Sequence, residues 1–436
     1  MKAWFRFAGM AVAVLLLAAC AGATPEAPPP PLVGGPYDYP LKDPLAATIV
    51  GTPKDLQLDL RMSYDREILD LDIFPDRVVP EIFWYDDRLT LDFAWQSRPA
   101  PLIFLIAGTG SGARSTLMRY LQALFVARGF HVIAVPSPTF PNFVVSGSAS
   151  RMPGRIGEDT RDLYDAMQLA YERVRDRIEV TKFYLAGYSL GAFEAAFLAE
   201  LDETEKAFDF DRVLMMNPPV SLYRSIEILD SMLVDNVDGG INGVPAYFNK
   251  VFTAFSDLYK KAKHVNFTDD FLYQAYETLK PDRRNMAALI GLAFRLSANN
   301  MIFTADVMTD SGFIVPKGTT LDTETSLTPY FQAGARVSFM DYLKQLFFPY
   351  FKRRDPDLTE ADLVVEADLH RIEDYLRGAD KIGMMTNRDD IILAPGDLAY
   401  LQALFGPRAR IYPTGGHLGN LDYRPVSAYI GNFFGN

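Results

Sequence analysis

The period of the apolar positions changes several times along this chain. Residues 101–107, Pro-Leu-Ile-Phe-Leu-Ile-Ala, form a nearly unbroken apolar run, the pattern of a strand covered on both faces. Strand-like runs also begin near Leu56 and recur at Leu89 to Gln96, His131 to Val135, Lys182 to Ala186 and Val213 to Met216. Between them the spacing becomes helical. Leu117, Leu121, Leu124 and Phe125 mark one face of a helix over Ser115 to Arg128, with Gly129 as its stop. A longer helix with charged and apolar faces is expected from about Glu158 to Arg177, and an Ala-rich one from Leu190 to Glu200. This alternation predicts an α/β fold, a mostly parallel sheet with helices on both faces. The alternation lapses between Ser221 and Arg377, which reads mostly as helix. It resumes with strands at Lys381 to Thr386 and Ala409 to Tyr412 and helices at Gly396 to Phe405 and Val426 to Phe434. The simplest organisation is one sheet domain, residues 45–220 and 378–436, interrupted by a large helical insertion at 221–377. No internal repeat is visible.

The start of the chain has a different character. Lys2 and Arg6 precede an apolar stretch, Phe7 to Ala19, that ends in small residues. It is short for a membrane span and has the flanks of an export signal. Cys20 is the single cysteine of the chain, which excludes an intrachain disulfide and a cysteine-based metal site. Leu17-Ala18-Ala19-Cys20 resembles the lipobox of bacterial lipoproteins. The resemblance implies that residues 1–20 are a signal peptide and that Cys20 carries the lipid and becomes the mature N-terminus. With Ala21 rather than Asp next to it, it also implies the bacterial cell envelope, at the outer membrane facing the periplasm. The alternative is an ordinary signal peptide with an incidental cysteine. Residues 21–44 are rich in proline, including Pro28 to Pro31. They read as an extended linker, able at ~3 Å per residue to hold the folded part several tens of Å from a membrane, or alternatively as a segment lying along the domain surface.

Composition adds mainly exclusions. The 436 residues are 49% hydrophobic and 22% charged, as in a globular protein with a sizeable core. The formal net charge of -12 disfavours nucleic acid as a partner. It equally disfavours broad adhesion to anionic lipid, so any attachment to a membrane should come from something more local. The 31 Phe and 22 Tyr hint at apolar surface beyond a single core.

One motif carries chemistry. Gly187-Tyr188-Ser189-Leu190-Gly191 fits G-x-S-x-G, in which a serine sits on a tight strand-to-helix turn and the glycines remove Cβ atoms from crowded positions. Chance alone supplies about 0.15 such patterns in a chain of this length, so the context decides. Here a strand, Phe183 to Ala186, leads in and an Ala-rich helix leads out. A serine hydroxyl needs a base, and the base needs a carboxylate. Of the four histidines, His131 begins a strand, while His264 and His370 lie in polar stretches. His417 lies in the Gly-rich segment Pro413 to Gly419 after the last strand.

Taken together, these features resemble the α/β-hydrolase superfamily over roughly Leu89 to Val220 and Lys381 to the C-terminus. The resemblance implies Ser189 as nucleophile and His417 as base. The acid is expected in Thr386 to Ile392, where a register of Asp, one variable residue and two aliphatics selects Asp389, with Asp390 as the alternative. The earlier place used by some relatives holds Asn217 and Pro218. Oxyanion donors are expected from the amides of Leu190 and Thr109, although Ala107-Gly108 stands where many relatives have His-Gly. A phosphate loop is excluded for the Gly108 to Gly112 segment, because no Gly-Lys-Ser/Thr ending follows.

The activity so implied is cleavage of an ester-type bond (carboxylester, lipid or thioester) through an acyl-enzyme, with no metal or organic cofactor. The partner is a small-molecule or lipid acyl ester. An acyltransferase with the same residues and a non-catalytic envelope binding protein are the rival readings. The insertion is expected to be a lid. Its aromatic stretches, Tyr247-Phe248, Val251-Phe252, Phe255 and Leu343 to Phe351 before Lys352-Arg353-Arg354, suit an acyl ester. The last of these reads either as a membrane contact or, more simply, as the lid's own core. The charged run Asp355 to Asp362 reads as a solvated helix start.

Overall fold

The computed structural model describes residues 34–60, 62–261 and 280–435. Residues 1–33, with Cys20 and the signal and most of the linker, lie outside the described residues, as do His264 and the side chains of Phe252 and Phe255. Eight strands make one sheet: β1 (Asp65–Leu71), β2 (Leu89–Trp95), β3 (Ala100–Ile106), β4 (His131–Val135), β5 (Val180–Tyr188), β6 (Arg212–Met216), β7 (Ile382–Asn387) and β8 (Ala409–Tyr412). Their spatial order is β1-β2-β4-β3-β5-β6-β7-β8. β2 runs antiparallel to both β1 and β4, and all other pairings are parallel.

Parallel neighbours need crossovers, and helices supply them. The helices used below are α1 (Pro44–Val50), α2 (Thr116–Ala127), α3 (Ile156–Val174), α4 (Leu190–Glu205), α5 (Leu222–Val234), α6 (Val244–Lys261), α7 (Arg283–Thr309), α8 (Asp397–Phe405) and α9 (Arg424–Phe433). β3 shows why its sequence lacks alternation. Leu102, Phe104 and Ile106 enter the core shared with α3 and α4, while Ile103, Leu105 and Ala107 enter the one shared with α2 and α9. All six side chains are fully buried.

Two departures from the sequence reading concern the edge of the domain. No strand begins at Leu56, which closes a short turn after Pro53; only Gln57 makes a single bridge, to Tyr423. The first strand is Asp65–Leu71, where Leu69 and Leu71 alone are buried and the remaining positions are mostly charged. Charge on an edge strand guards its unpaired side and hides its period.

The end of the expected linker is a second correction. Tyr39 and Leu41 are buried, and Tyr37 stacks on Tyr412 at 4.9 Å and meets Tyr423 edge-on at 5.5 Å. Asp43 caps α1 by accepting from the Leu45 and Ala46 amides. These ring contacts tie the chain to the fold by residue 37 rather than after 44.

The insertion leaves the sheet after β6 and returns to β7. Its neck is closed by antiparallel pairing, Leu222 N–H to Ala367 O at 3.0 Å and Leu369 N–H to Val220 O at 2.9 Å. α5 and α7 cross closely at Gly291, where a Cβ would stand 2.4 Å from Leu233 N. A buried ion pair, Arg295 with Asp230 at 2.8 Å, ties the two helices, and Asp230 also accepts from the Phe339 amide at 3.0 Å. α7 is long and apolar enough to cross a membrane, but 61% of its apolar window is buried against the rest of the chain. In the Leu343 to Phe351 stretch, Leu343, Leu346, Phe347 and Phe351 are buried, which is the interior packing rather than the membrane contact.

Candidate active site

The parallel strands end in register, and the reacting groups stand just beyond their carboxyl ends, where open α/β sheets bind ligands. Ile106 of β3 pairs with Gly187, Tyr188 of β5 with Met216, and Asn387 of β7 with Tyr412. Ser189 follows β5 directly with φ 53° and ψ -122°, a backbone conformation that costs of order 1–3 kcal/mol outside glycine and is held only by its surroundings. Those surroundings are tight. A Cβ at Gly187 would lie 2.0 Å from Gly191 O, and one at Gly191 would lie 2.3 Å from Ile106 O. The Ser189 amide donates to Met216 O at 2.9 Å.

His417 reaches this turn from the loop after β8. Its Nε2 is 2.9 Å from Ser189 Oγ. Its Nδ1 is 3.0 Å and 3.2 Å from the two carboxylate oxygens of Asp390. The structure therefore places Asp390, and not Asp389, against the imidazole. The two residues share one turn and point apart. Asp389 instead accepts the amides of Gly415 (3.3 Å) and Gly416 (3.0 Å), so it shapes the glycine turn that delivers His417. Burial pushes the Asp389 carboxyl above its usual range, against the pull of these two amides.

Asp390 is fully enclosed and well supplied with donors. Asn217 Nδ2 donates to Oδ2 at 2.7 Å, Thr386 Oγ1 donates to Oδ2 at 3.3 Å, and the Ile392 amide donates to Oδ1 at 3.2 Å. Asn217, at the end of β6 in a left-handed conformation (φ 51°), stands where the alternative acid was looked for. It acts on the carboxylate rather than replacing it.

The amide side of His417 has its own support, which the sequence does not disclose. Thr48 Oγ1 in α1 accepts the His417 N–H at 2.9 Å. Asn387 Nδ2 donates to Gly416 O at 2.7 Å, and Asn387 and Asn420 pair side chain to side chain. Tyr37 donates its hydroxyl to Thr414 O and accepts from Asn420 Nδ2, and burial raises its phenol to about 12. Thr48→Val leaves the His417 amide without its acceptor, a loss of about 1–2 kcal/mol. The expected result on a chromogenic ester is a fall in kcat of about tenfold with little change in KM. Unchanged kcat would show that the loop holds without this bond.

The other two described histidines have other duties. His131 is buried, with Nδ1 accepting from the Gln96 amide at 3.1 Å, and burial lowers its pKa. His370 lies half exposed against Asp368 and stacks on Tyr400 at 4.0 Å.

Thr109, Ser189 and Leu190 share the wall of one cavity. Leu190 opens α4, and the first amides of a helix have no acceptor within it. The loop bearing Thr109 is pinned despite its glycines: the Gly110 amide donates to Thr139 Oγ1 at 2.8 Å, and the Ser137 amide donates to Ser111 O at 2.9 Å. The cavity encloses about 870 Å³, part of it open to solvent, and its wall is mostly apolar. The sheet domain supplies one side and the insertion the other, through α5, α7 (Ser297, Ala298, Met301) and Phe339 to Phe347. A Cβ at Gly110 would lie 1.8 Å from Ser297 Oγ, so α7 rests directly on the loop. Among the described residues, no three His, Cys, Asp or Glu side chains converge as metal ligands would.

The strand order, the turn at Ser189 and the placement of Asp390 and His417 after β7 and β8 define an α/β-hydrolase fold. No protein-family model matches the sequence, and neither does any curated protein. Among solved structures, an esterase from Pyrococcus furiosus is similar at 12% identity and a TM-score of 0.39, over 95% of this chain and 98% of that one. Brefeldin A esterase, a bacterial homologue of human hormone-sensitive lipase, is similar at 12% identity and a TM-score of 0.37, over 92% of this chain and 86% of that one. The thioesterase domain from the curacin biosynthetic pathway is similar at 12% identity and a TM-score of 0.37, over 86% of this chain and 100% of that one. Likeness at this level leaves the substrate to the site itself.

Proposed function

We propose that this protein is a serine hydrolase that cleaves an ester-type bond through an acyl-enzyme. The observation that carries the reading is the continuous chain of hydrogen bonds from Ser189 Oγ through His417 to Asp390. Ser189 Oγ attacks the ester carbonyl while His417 Nε2 takes its proton. The tetrahedral oxyanion is held by the amides of Thr109 and Leu190. The imidazolium then gives its proton to the leaving alkoxide or thiolate. Water repeats the sequence on the acyl-enzyme, losing its proton to His417 and releasing the acid and Ser189. Asp390 holds the Nδ1–H tautomer and stabilises the charge that forms on the ring. The apolar wall of the cavity favours a carboxylester, lipid or thioester with an apolar acyl group. A lipid anchor at Cys20 and residence in the bacterial cell envelope, at the outer membrane facing the periplasm, belong to the same proposal and rest on the N-terminal sequence.

A fluorophosphonate probe tests the reading. The parent protein is expected to label and to hydrolyse p-nitrophenyl esters, while Ser189→Ala does neither and keeps its melting temperature. A folded parent that fails to label would overturn the enzyme in favour of a binding protein. Release of the acid in water, against acyl transfer to added alcohols or amines, separates the hydrolase from the acyltransferase.

A further inference from the structure

The cavity beside Ser189 passes over the carboxyl edge of the sheet from one face to the other. The first half of α7 packs Met286, Ala287 and Ile290 on Leu45 and Ala46 of α1. Its second half puts Ala298, Met301 and Ile302 into the core shared with α3 and α4. α1 belongs to the opposite face, where Ala47 and Val50 enter the core shared with α2 and α9. α5 makes the same crossing in reverse: Leu222 and Tyr223 lie with α3 and α4, and Leu229 lies with α1. The two helices line the cavity with Phe294, Ser297, Ala298 and Met301 of α7 and with Leu222, Ile226 and Leu229 of α5. Each stripe runs for about 10 Å along its helix. Ser297, in the middle of its stripe, rests on the loop of Thr109, where a Cβ at Gly110 would lie 1.8 Å from its Oγ. Thr109 and Ser189 therefore face the middle of the cavity, and an arm extends to either side of them.

The base decides which arm receives which half of an ester. His417 gives its proton to the leaving oxygen, so the alcohol half lies on the side of the base. That is the α1 side: Thr48 of α1 holds the His417 amide at 2.9 Å, and Ile392, which follows Asp390 in the same turn, lines the cavity. This arm is walled by Ile226, Leu229, Phe294 and Ile392, and the Ser225 hydroxyl there donates to Ile392 O at 2.7 Å. The acyl arm is walled by Ile156, Met301, Leu343 and Phe347, and Tyr342 donates its hydroxyl to Pro153 O at 2.7 Å. Asp159 belongs to the same wall but is 2% exposed; it accepts the Gly154 amide at 2.7 Å and has the buried Glu194 of α4 beside it. No Lys, Arg or His is among the described residues that line the cavity, so neither arm offers a cation to a phosphate or a carboxylate.

From the two apolar arms that meet at Ser189, we propose that the substrate is an uncharged ester with a hydrocarbon chain on both sides of the scissile bond, the acid chain beside α3 and the alcohol chain beside α1. This deepens the ester-hydrolase reading and rests on it for the direction in which the ester lies. The alcohol arm is the selective one. A leaving group that is short, phosphorylated or otherwise polar leaves Ile226, Leu229 and Phe294 in water and gains nothing from them. An ester with a chain at each end removes both walls from water at once. Leu229, at the α1 end, sets the preference for the alcohol chain, and Met301, at the α3 end, sets it for the acid chain.

Binding is read apart from turnover. N-hexyl hexanamide, N-ethyl hexanamide, N-hexyl acetamide and N-(6-hydroxyhexyl) hexanamide carry an uncleaved amide in place of the ester. They are titrated calorimetrically into Ser189→Ala and into Ser189→Ala carrying Leu229→Trp or Met301→Trp. In Ser189→Ala, N-hexyl hexanamide is expected to bind about tenfold or more tightly than each of the other three. Leu229→Trp abolishes its advantage over N-ethyl hexanamide and keeps that over N-hexyl acetamide; Met301→Trp does the reverse. Melting curves confirm folding, and Ile226→Trp or Leu343→Phe takes the place of a variant that does not fold. Equal affinity of the hexyl and ethyl amides, or of the hexyl and hydroxyhexyl amides, overturns the proposal. So does a substitution that abolishes both advantages alike, or the two substitutions acting on the opposite chains. Hydrolysis of p-nitrophenyl hexanoate by the parent is followed in parallel, so that failure of the esterase reading appears there and failure of the two-armed cavity appears in the titrations.

Discussion

Asp390→Asn lowers kcat for a p-nitrophenyl ester by about 10³–10⁴-fold, and Asp389→Asn lowers it by about tenfold or less. The difference follows from which atom each carboxylate meets. An amide at 390 offers its nitrogen or a weaker oxygen to His417 Nδ1, which is 3.0 Å away. Either the tautomer that leaves Nε2 able to accept the Ser189 proton is lost, or the imidazolium goes without its counter-charge. Asn217 and Thr386 both donate to Oδ2, so they turn an amide oxygen toward themselves and its NH₂ toward the Oδ1 position nearest the ring, which the Ile392 amide then also loses as an acceptor. At 389 the task is to accept two backbone amides. An Asn side-chain oxygen still accepts one of them, and the loss is a fraction of the glycine turn's rigidity. Steady-state kinetics beside fluorophosphonate labelling rates and melting curves check both. If the two variants exchanged places in that ranking, the assignment of the acid would be wrong.

Gly191→Ala is expected to lose the folded protein altogether. The added methyl would lie 2.3 Å from Ile106 O and 2.6 Å from Ala107 O. Both neighbours are main-chain atoms of β3 and its loop, the centre of the sheet, and neither belongs to a side chain that can rotate away. Relief requires α4 to move off the sheet, which opens the core around Ala192, Ala195, Ala196 and Ala199, all buried in that contact. The cost exceeds about 4 kcal/mol, a large part of the stability of a typical domain. The same methyl at Gly157, where nothing lies within 4 Å, serves as the control. Soluble yield and thermal melting read the contrast. A soluble Gly191→Ala protein with a parent-like melting temperature would mean that the helix does not press on the sheet as described.

The parts of this architecture that were legible in the sequence are those set by local pattern. β3, β4 and β6 were readable because nearly continuous apolar runs ended in turn residues, and β8 because the alternation of helix and strand had resumed before it. The turn at Ser189 was readable because its steric demands fall on residues two positions away. His417 was readable because the chain holds four histidines and one lies in a glycine loop after a strand. What was not legible depended on direction or on distance along the chain. Asp389 and Asp390 are chemically identical neighbours, and only the path of the turn after β7 decides which faces the ring. Thr48 and Tyr37 act on a loop more than 360 residues away. β1 escaped notice because an edge strand covered with charge shows too few buried positions to reveal its period. Asp159 and Glu194 look like ordinary helix-surface acids until α3 and α4 are packed together.

The dependence of His417 on α1 also has a mechanical side. A pull applied to the backbone at residue 34 is borne first by the rings of Tyr37 and Tyr39 and then by the Thr48 hydroxyl that grips the base's own amide. Traction on the amino end therefore reaches the histidine loop together with the end of β8, where Tyr37 stacks on Tyr412. A chain cut back to residue 53 would keep Ser189, Asp390 and His417 in sequence while losing the brace that sets the ring's position.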